Sequence, residues 1–178
     1  MGPETTDRPA DPDQFAACFD TLATEAASHG TRVALEFLPF ATYGNSLDMG
    51  IELVKQVANP AGGLCLGIWH VARPGTDYAV IADSLPGEYV FSVELNDAAP
   101  ELVGSLFEDT IHRRLLPGTG SFDIPAFINA VRATGFDCSW GVEILSDHHR
   151  TLPPEEGLAR AKKATLACFA EADRRARA

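Results

Sequence analysis

Three glutamates stand near the carboxyl ends of short apolar segments. If these segments are strands, each glutamate lies on the face that carries the smaller or more polar side chains. They are Glu36 in RVALEFLP, Glu94 in YVFSVEL and Glu143 in SWGVEIL. A carboxylate inside an apolar strand is unfavourable unless it is paired, hydrogen-bonded or bound to a metal. The pattern therefore predicts a divalent-cation or acid–base centre, with a structural polar network as the alternative. All-oxygen ligation favours Mg²⁺ or Mn²⁺ over zinc.

Two other residue types beside this cluster could contribute to chemistry. His70 follows the apolar segment LCLGIW and is either a satisfied loop residue or a functional group next to the glutamates. Arg113 and Arg114 precede a Pro/Gly turn, which predicts either a surface loop or a clamp for an anion or hydroxyl. The cysteines lack CxxC spacing and are interpreted as small core or helix residues in a reducing compartment. They are Cys18, Cys65, Cys138 and Cys168.

The segments that must position these residues alternate between apolar strands and amphipathic helices. Strands are predicted at 32–39, 64–69, 89–95 and 139–145, and helices at 14–29, 46–58, 77–84, 124–134 and 154–176. A longer loop, with room for one helical turn, is predicted at 98–120. Alternation in the third strand groups Phe91 with Val93 and Leu95, opposite Ser92 and Glu94. Strands and helices in this order form parallel βα units, whose functional groups lie at the carboxyl ends of the strands.

The number of strands limits the architecture. A closed (β/α)8 barrel has eight strands, typically in ~250 residues. Four strands in 178 residues therefore predict a half or partial TIM barrel, or a small open parallel sheet. We expect a polar N-terminal arm at residues 1–11 and a single domain at 12–178.

Composition excludes several classes of partner. The formal net charge is −11, which argues against binding to nucleic acid or to an anionic membrane surface. Apolar runs fall far short of the ~20 residues that span a bilayer. The opening residues also lack the basic start and apolar run of a secretory signal. We therefore expect a cytoplasmic protein.

Several segments, taken in order, resemble the C-terminal half of the sugar phosphate isomerase/epimerase superfamily, the xylose isomerase-like TIM barrels. They are ALEFLP, LCLGIWH, VELND, RLLPGTGSFDIPAFINAVRATGFD and WGVEIL, within about residues 12–170. The resemblance implies a Mn²⁺ or Mg²⁺ ion held by a Glu, an Asp, a His and a second Glu on the last four strands. It also implies that the two glutamates move a proton beside a carbonyl. Inositol-pathway and dehydroshikimate dehydratases are similar.

The resemblance assigns roles to the glutamates of this chain. Glu36 matches the first Glu and Glu143 the last, so both are expected as metal ligands and as catalytic acid/base groups. Glu94 occupies the position of the His ligand and is expected as an auxiliary metal ligand. The Asp position falls on Gly67, so that ligand is absent.

The resemblance also implies substrate contacts and an activity. His70 and Arg114 are expected to orient substrate oxygens, and Trp69 to form an apolar wall. The expected protein is an isomerase, an epimerase or a related dehydratase, acting on a sugar, a sugar phosphate or a polyol ketone. The alternative is a catalytically degenerate half-barrel that serves as a subunit or binding module. An endonuclease of the same superfamily is disfavoured by the acidic charge.

A four-stranded half barrel has open sheet edges and an uncovered interior. We therefore predict a homo-oligomer, or a complex with a complementing partner chain, formed through the open face. Light scattering of the purified chain should report a dimer or larger species. A monodisperse monomer would contradict the homo-oligomer.

Overall fold

The computed structural model describes residues 11–178 of the chain. The predicted arm at 1–11 lies outside this range except for Asp11, whose carboxylate caps the first helix. Strands are β1 (Val33–Glu36), β2 (Gly62–Gly67), β3 (Val90–Leu95) and β4 (Trp140–Val142). Helices are α1 (Pro12–Ser28), α2 (Leu47–Val57), α3 (Ile68–Ala72), α4 (Ala79–Ser84), α5 (Leu106–His112), α6 (Ile124–Ala133) and α7 (Pro154–Arg175). No helix within 11–178 is long and apolar enough to cross a membrane.

The four strands form one parallel sheet in the order β1-β2-β3-β4, which confirms the predicted α/β architecture. One face of the sheet packs on the helices. Leu64, Leu66 and Val93 of this face are fully buried in one core with Phe127 and Ile128 of α6. The fold therefore buries one side of the sheet under helices and leaves the other side, here called the inner face, with the polar residues.

The strand register brings the polar residues of the inner face to one level. Glu36 pairs with Cys65, Gly67 pairs with Glu94, and Glu94 pairs with Gly141. Because side chains alternate along a strand, these residues share the face opposite the helices. All lie towards the carboxyl ends of their strands, where parallel sheets carry their functional groups.

The predicted alternation is wrong at Phe91. A β-bulge shifts the register, so that Leu64 pairs with Val90 but Cys65 pairs with Ser92, and Phe91 is the extra residue. A Cβ on Gly63 would lie 2.6 Å from the Phe91 ring. Phe91 therefore faces the inner side, where the Arg32 guanidinium lies 4.1 Å from its ring centroid. A bulge inserts one residue and so reverses the side on which the preceding side chains lie.

Two element boundaries also differ from prediction. The second strand was predicted to continue through Trp69, but β2 ends at Gly67 and α3 begins at Ile68. The loop predicted at 98–120 contains α5, which starts with a capping box between Ser105 and Glu108. In a capping box each residue satisfies a free backbone N–H of the other, so the helix start is stabilised locally.

A single carboxylate organises the loop that follows β3. Asp97 is fully buried and accepts backbone N–H bonds from four residues: Ala98, Gly118, Gly120 and Phe122 at 2.8, 3.1, 2.8 and 3.0 Å. It thereby ties the Pro-Gly-Thr-Gly turn to the end of β3.

Asp97→Asn should destabilise the fold. The amide keeps one acceptor oxygen but turns an NH₂ group towards two backbone N–H donors, which leaves them without acceptors. A fully buried donor without an acceptor costs on the order of 1–3 kcal/mol. Because three of the four hydrogen bonds are only partly buried, we expect a loss of about 2–4 kcal/mol in the free energy of unfolding by urea. Asp83→Asn, at an exposed position on α4, is the control and should change stability by less than about 0.5 kcal/mol. Equal effects of the two variants would contradict the assignment.

Candidate active site

The structure brings the three glutamates together on the inner face. Burial, followed by the charges of Glu143 and Glu94, raises the pKa of Glu36 from 4.5 to about 7. Burial and the neighbouring Glu143 also raise the pKa of Glu94, whose carboxyl shares a hydrogen bond with Glu143. Because neighbouring carboxylates resist simultaneous ionisation, Glu36 remains partly protonated at neutral pH.

A buried arginine holds the fourth-strand glutamate in place. Only 2% of the Arg114 side chain is exposed, and its Nη1 forms an ion pair with the Glu143 carboxylate. Nη1 also donates to the Glu143 carbonyl at 3.4 Å, and Nε and Nη2 donate to Thr110 Oγ1 at 3.0 and 2.7 Å. The second Nη2 hydrogen points to His70 Nε2 at 3.3 Å. All five N–H groups are therefore engaged within the chain.

His70 is neutral in this arrangement. Its side chain is 2% exposed, and burial, together with the charge of Arg114, lowers its pKa from 6.5 to about 3. Because arginine can only donate, the hydrogen bond with Arg114 requires His70 Nε2 to accept, which assigns the proton to Nδ1, an atom buried without a hydrogen-bond partner among the described residues. Nε2 also lies 3.4 Å from Glu36 Oε1 but has no proton to give it. Glu36 Oε1 is accordingly buried without a hydrogen-bond partner among the described residues.

Trp69 lies behind the site. Its side chain is fully buried, and its Nε1 donates to Asp109 Oδ2 at 3.2 Å. Asp109 also accepts from Arg73 Nη2 at 2.7 Å. The indole therefore joins α3 to α5, and Arg114 lies 5.9 Å above its ring. The fully buried ring therefore packs beside the arginine.

Cys65 belongs to the cluster, although the sequence placed it among core or helix residues. Its Sγ lies 3.4 Å from Ser92 Oγ, and burial raises its thiol pKa to about 12. The Cys65 sulfur and one carboxylate oxygen each from Glu36 and Glu94 all lie within 4.8 Å of one another. Three donor atoms this close could contact a single ion.

The space beside Glu36 depends on Gly67. A Cβ built on Gly67 would lie 2.8 Å from Glu36 Oε1 and 2.9 Å from His70 Cδ2. The Glu36 carboxyl therefore occupies space that is free only because residue 67 has no side chain. The unpartnered Glu36 oxygen and the donors around it fit a divalent ion, although Gly67 itself offers no ligand.

Most of the predicted site residues are neighbours in the structure. Glu36, Glu94 and Glu143 face the inner side, and His70 and Arg114 lie directly behind them. The residues that sequence reasoning missed are Cys65, Ser92, Thr110 and Asp109. Strand alternation offered a signal for Cys65, because it stands two residues before Gly67 on the same side of β2. The spacing of four residues between Thr110, on α5, and Arg114, two residues beyond the end of that helix, was a comparable signal.

Comparison with known proteins places this geometry in a family. The chain is 30% identical over 145 residues to the 3-dehydroshikimate dehydratase of Pseudomonas putida, covering 82% of this chain and 22% of that protein. It is 28% identical over 147 residues to the inosose isomerase of Bacillus subtilis, covering 82% of this chain and 51% of that protein. The chain thus spans about a fifth and about half, respectively, of these relatives.

Solved structures and a family model agree with these relatives. The structure of the IOLI protein with a bound zinc atom superposes with a TM-score of 0.80 at 26% identity, covering 93% of this chain and 60% of that one. The family model described as xylose isomerase-like TIM barrel matches residues 2–167. The chain with its carboxylate-lined parallel sheet therefore belongs to the xylose isomerase-like TIM barrel family.

Proposed function

We propose that this chain carries the acid–base and metal-binding residues of an isomerase, epimerase or related dehydratase that acts on a sugar or polyol ketone. The reaction moves a proton on the carbon next to a carbonyl. The observation that carries the proposal is the Glu36 carboxyl, whose pKa lies at about 7 beside two further carboxyls on the inner face. A general acid–base group works best when its pKa lies near the working pH.

Glu36 and Glu143 are the proposed catalytic residues. They stand on β1 and just beyond β4, at the two ends of the sheet order, so they flank a ligand bound over the two central strands. One glutamate takes the proton from the carbon and the other returns a proton to the substrate. Arg114 fixes the orientation of Glu143 through its ion pair, which keeps that carboxylate aimed at the inner face.

The metal ligands predicted from sequence are Glu36, Glu94 and Glu143. A divalent ion held there supplies Lewis-acid polarisation of the substrate carbonyl, which acidifies the neighbouring C–H bond. Support comes from the approach of one oxygen each of Glu36 and Glu94, which lie within 4.8 Å of each other and of Cys65 Sγ in a group that does not include Glu143. Further support comes from the zinc atom bound in the similar IOLI protein. Glu94 lies on β3, between the strands that carry or precede the two catalytic glutamates, and its carboxyl is hydrogen-bonded to Glu143.

His70, Arg114 and Trp69 were predicted to contact substrate. In the structure the side chains of His70 and Arg114 are each 2% exposed and engaged with Glu36, Glu143 and each other. We therefore propose that both act as positioning residues for the carboxylates when no ligand is bound. Direct contact of these three residues with substrate stays a prediction.

A second candidate is a degenerate half-barrel that serves as a subunit or binding module. It is favoured by Gly67, which stands where the resemblance implies an aspartate ligand. The two candidates differ in their response to chelator. An enzyme of the first kind loses proton transfer when the ion is removed, whereas a binding module has no proton transfer to lose.

Glu143→Gln should abolish most proton transfer. The candidate substrates are an inosose, 3-dehydroshikimate and a panel of ketoses. The assay uses NMR to measure how fast the proton beside the carbonyl of each compound exchanges with deuterium from D₂O. Positioned acid–base groups contribute typically 10²–10⁴-fold, so we expect kcat/KM for exchange to fall at least ~100-fold. Glu101→Gln, at an exposed position, is the control. An unchanged kcat/KM in Glu143→Gln would refute its catalytic role.

Glu36 should also make stability depend on pH. Its folded pKa of about 7 exceeds the ordinary value of 4.5, so the protonated carboxyl contributes stability that is complete below pH 4.5 and lost as pH rises through 7. In chelator, Glu36→Gln should remove this loss and gain about 1–2 kcal/mol over wild type across that interval, a value reduced for partial solvent exposure.

The comparison with wild type separates this effect from that of His70. The pKa of His70 is lowered from 6.5 to about 3. His70 therefore makes stability rise with pH between these two values, which is opposite in sign to the effect of Glu36. His70 is present in both proteins, so its contribution largely cancels in the difference. Glu52→Gln, exposed on α2, should show a difference that is flat with pH. A flat difference for Glu36→Gln would contradict the raised pKa.

A further inference from the structure

We infer that Cys65 is a thiolate ligand of the divalent ion in this chain, together with Glu36 and Glu94, and that the site prefers zinc to Mg²⁺ or Mn²⁺. The inference rests on the ion of the proposed function and specifies which donors hold it. It differs from the sequence expectation in two respects, since it replaces Glu143 by a sulfur and an all-oxygen site by a mixed one.

The sheet register gives Cys65 its place in the site. Cys65 is the direct partner of Glu36 on one side and of Ser92 on the other, and Glu94 is the next inner-face residue after Ser92. The sulfur and the two carboxylate oxygens lie within 4.8 Å of one another. Parallel strands are rigid supports, so the donors converge without rearrangement of the backbone.

Gly67 cannot supply the ligand that the resemblance implies at its position. It carries no side chain, and the space a Cβ would need is occupied by Glu36 Oε1 and by the buried ring of His70. The next residue on the same side of β2 is Cys65. The Cys65 thiol is therefore the metal donor that β2 can offer, and it lies two residues nearer the amino end of the strand than Gly67.

Glu143 is less available to the ion than Cys65. Its Oε2 atom is held by the buried guanidinium of Arg114, and Glu143 does not belong to the group of donor atoms that lie within 4.8 Å of one another. A carboxylate that neutralises a buried arginine cannot turn to a metal without leaving that cation unpaired, which is strongly unfavourable. Among the described residues, the donors that converge without breaking an ion pair are those of Glu36, Cys65 and Glu94.

Ser92 supports the sulfur as a ligand. Its hydroxyl lies 3.4 Å from Cys65 Sγ and can donate to the sulfur once the thiol is deprotonated. Hydrogen bonds of this kind orient metal ligands and stabilise their charge. On binding, the S–H bond breaks, the sulfur keeps the electron pair for the metal, and the proton passes to solvent. Metal uptake therefore releases the thiol proton, together with any proton held by the Glu36 and Glu94 carboxyls, to solvent.

The sulfur decides which ions bind well. Thiolates are soft donors that select zinc and cobalt, whereas Mg²⁺ and Mn²⁺ favour sites made of oxygen. A set of two carboxylates and one thiolate leaves room for a water or a substrate oxygen, as zinc sites that perform chemistry require.

Cobalt(II) provides the test, because a cobalt–thiolate bond produces a charge-transfer band in the near ultraviolet. We expect the full chain to bind about one Co²⁺ with this band, and Zn²⁺ to displace it. In Cys65→Ser the band should vanish and Zn²⁺ affinity should fall at least ~100-fold, since loss of even a residue behind a ligand costs 10–100-fold. Mn²⁺ affinity should not change. Cys18→Ser, exposed on α1, is the matched control and should keep band and affinity.

The outcomes separate this inference from the proposed function. Cobalt binding without the sulfur band, or with a band that survives in Cys65→Ser, overturns the role of Cys65 but leaves an oxygen-ligated enzyme intact. Absence of binding in wild type, in Cys65→Ser and in Glu36→Gln overturns both. Circular dichroism and thermal unfolding of each variant establish that a lost band reflects a lost ligand and not a lost fold.

Discussion

The candidate site depends on one buried cation, the guanidinium of Arg114. A charge removed from water is tolerated when every donor around it finds an acceptor, and here those acceptors come from three different segments. Thr110 belongs to α5, His70 to α3, and Glu143 to the chain just after β4. Each of these groups is therefore positioned by the same residue, and the segments that carry them cannot shift independently. Asp109 extends this restraint by pairing with Arg73 from α3.

Much of the fold and the acidic half of the site could be predicted from sequence because both follow from local periodicity. Alternation within a strand placed Glu36, Glu94 and Glu143 on one side, and the carboxyl-end rule for parallel sheets placed them at one level. Helix caps were equally local: Ser46 caps α2 by accepting from the backbone of Met49, as its position before an apolar stripe indicates. These features need no knowledge of distant contacts.

The remaining features depend on contacts between segments far apart in sequence. The bulge at Phe91 follows from the fit of its ring over Gly63 and Arg32, which a single strand does not disclose. Trp69 continues an apolar run, yet it is drawn into a helix whose indole N–H meets Asp109. The neighbourhood of Cys65 could not be predicted from spacing along the chain, because strand pairing across the sheet brings it to Glu36 and Ser92.

The glycine at position 67 has a consequence for how such a chain can change. The volume that a side chain there would occupy is now filled by the Glu36 carboxyl and the edge of the His70 ring. An aspartate at this position would need both groups to move, and His70 is held against Arg114. A single substitution at Gly67 would therefore disturb the Glu36 carboxyl and the His70–Arg114 contact before it could add a ligand. The position is constrained by its neighbours as much as by its own residue.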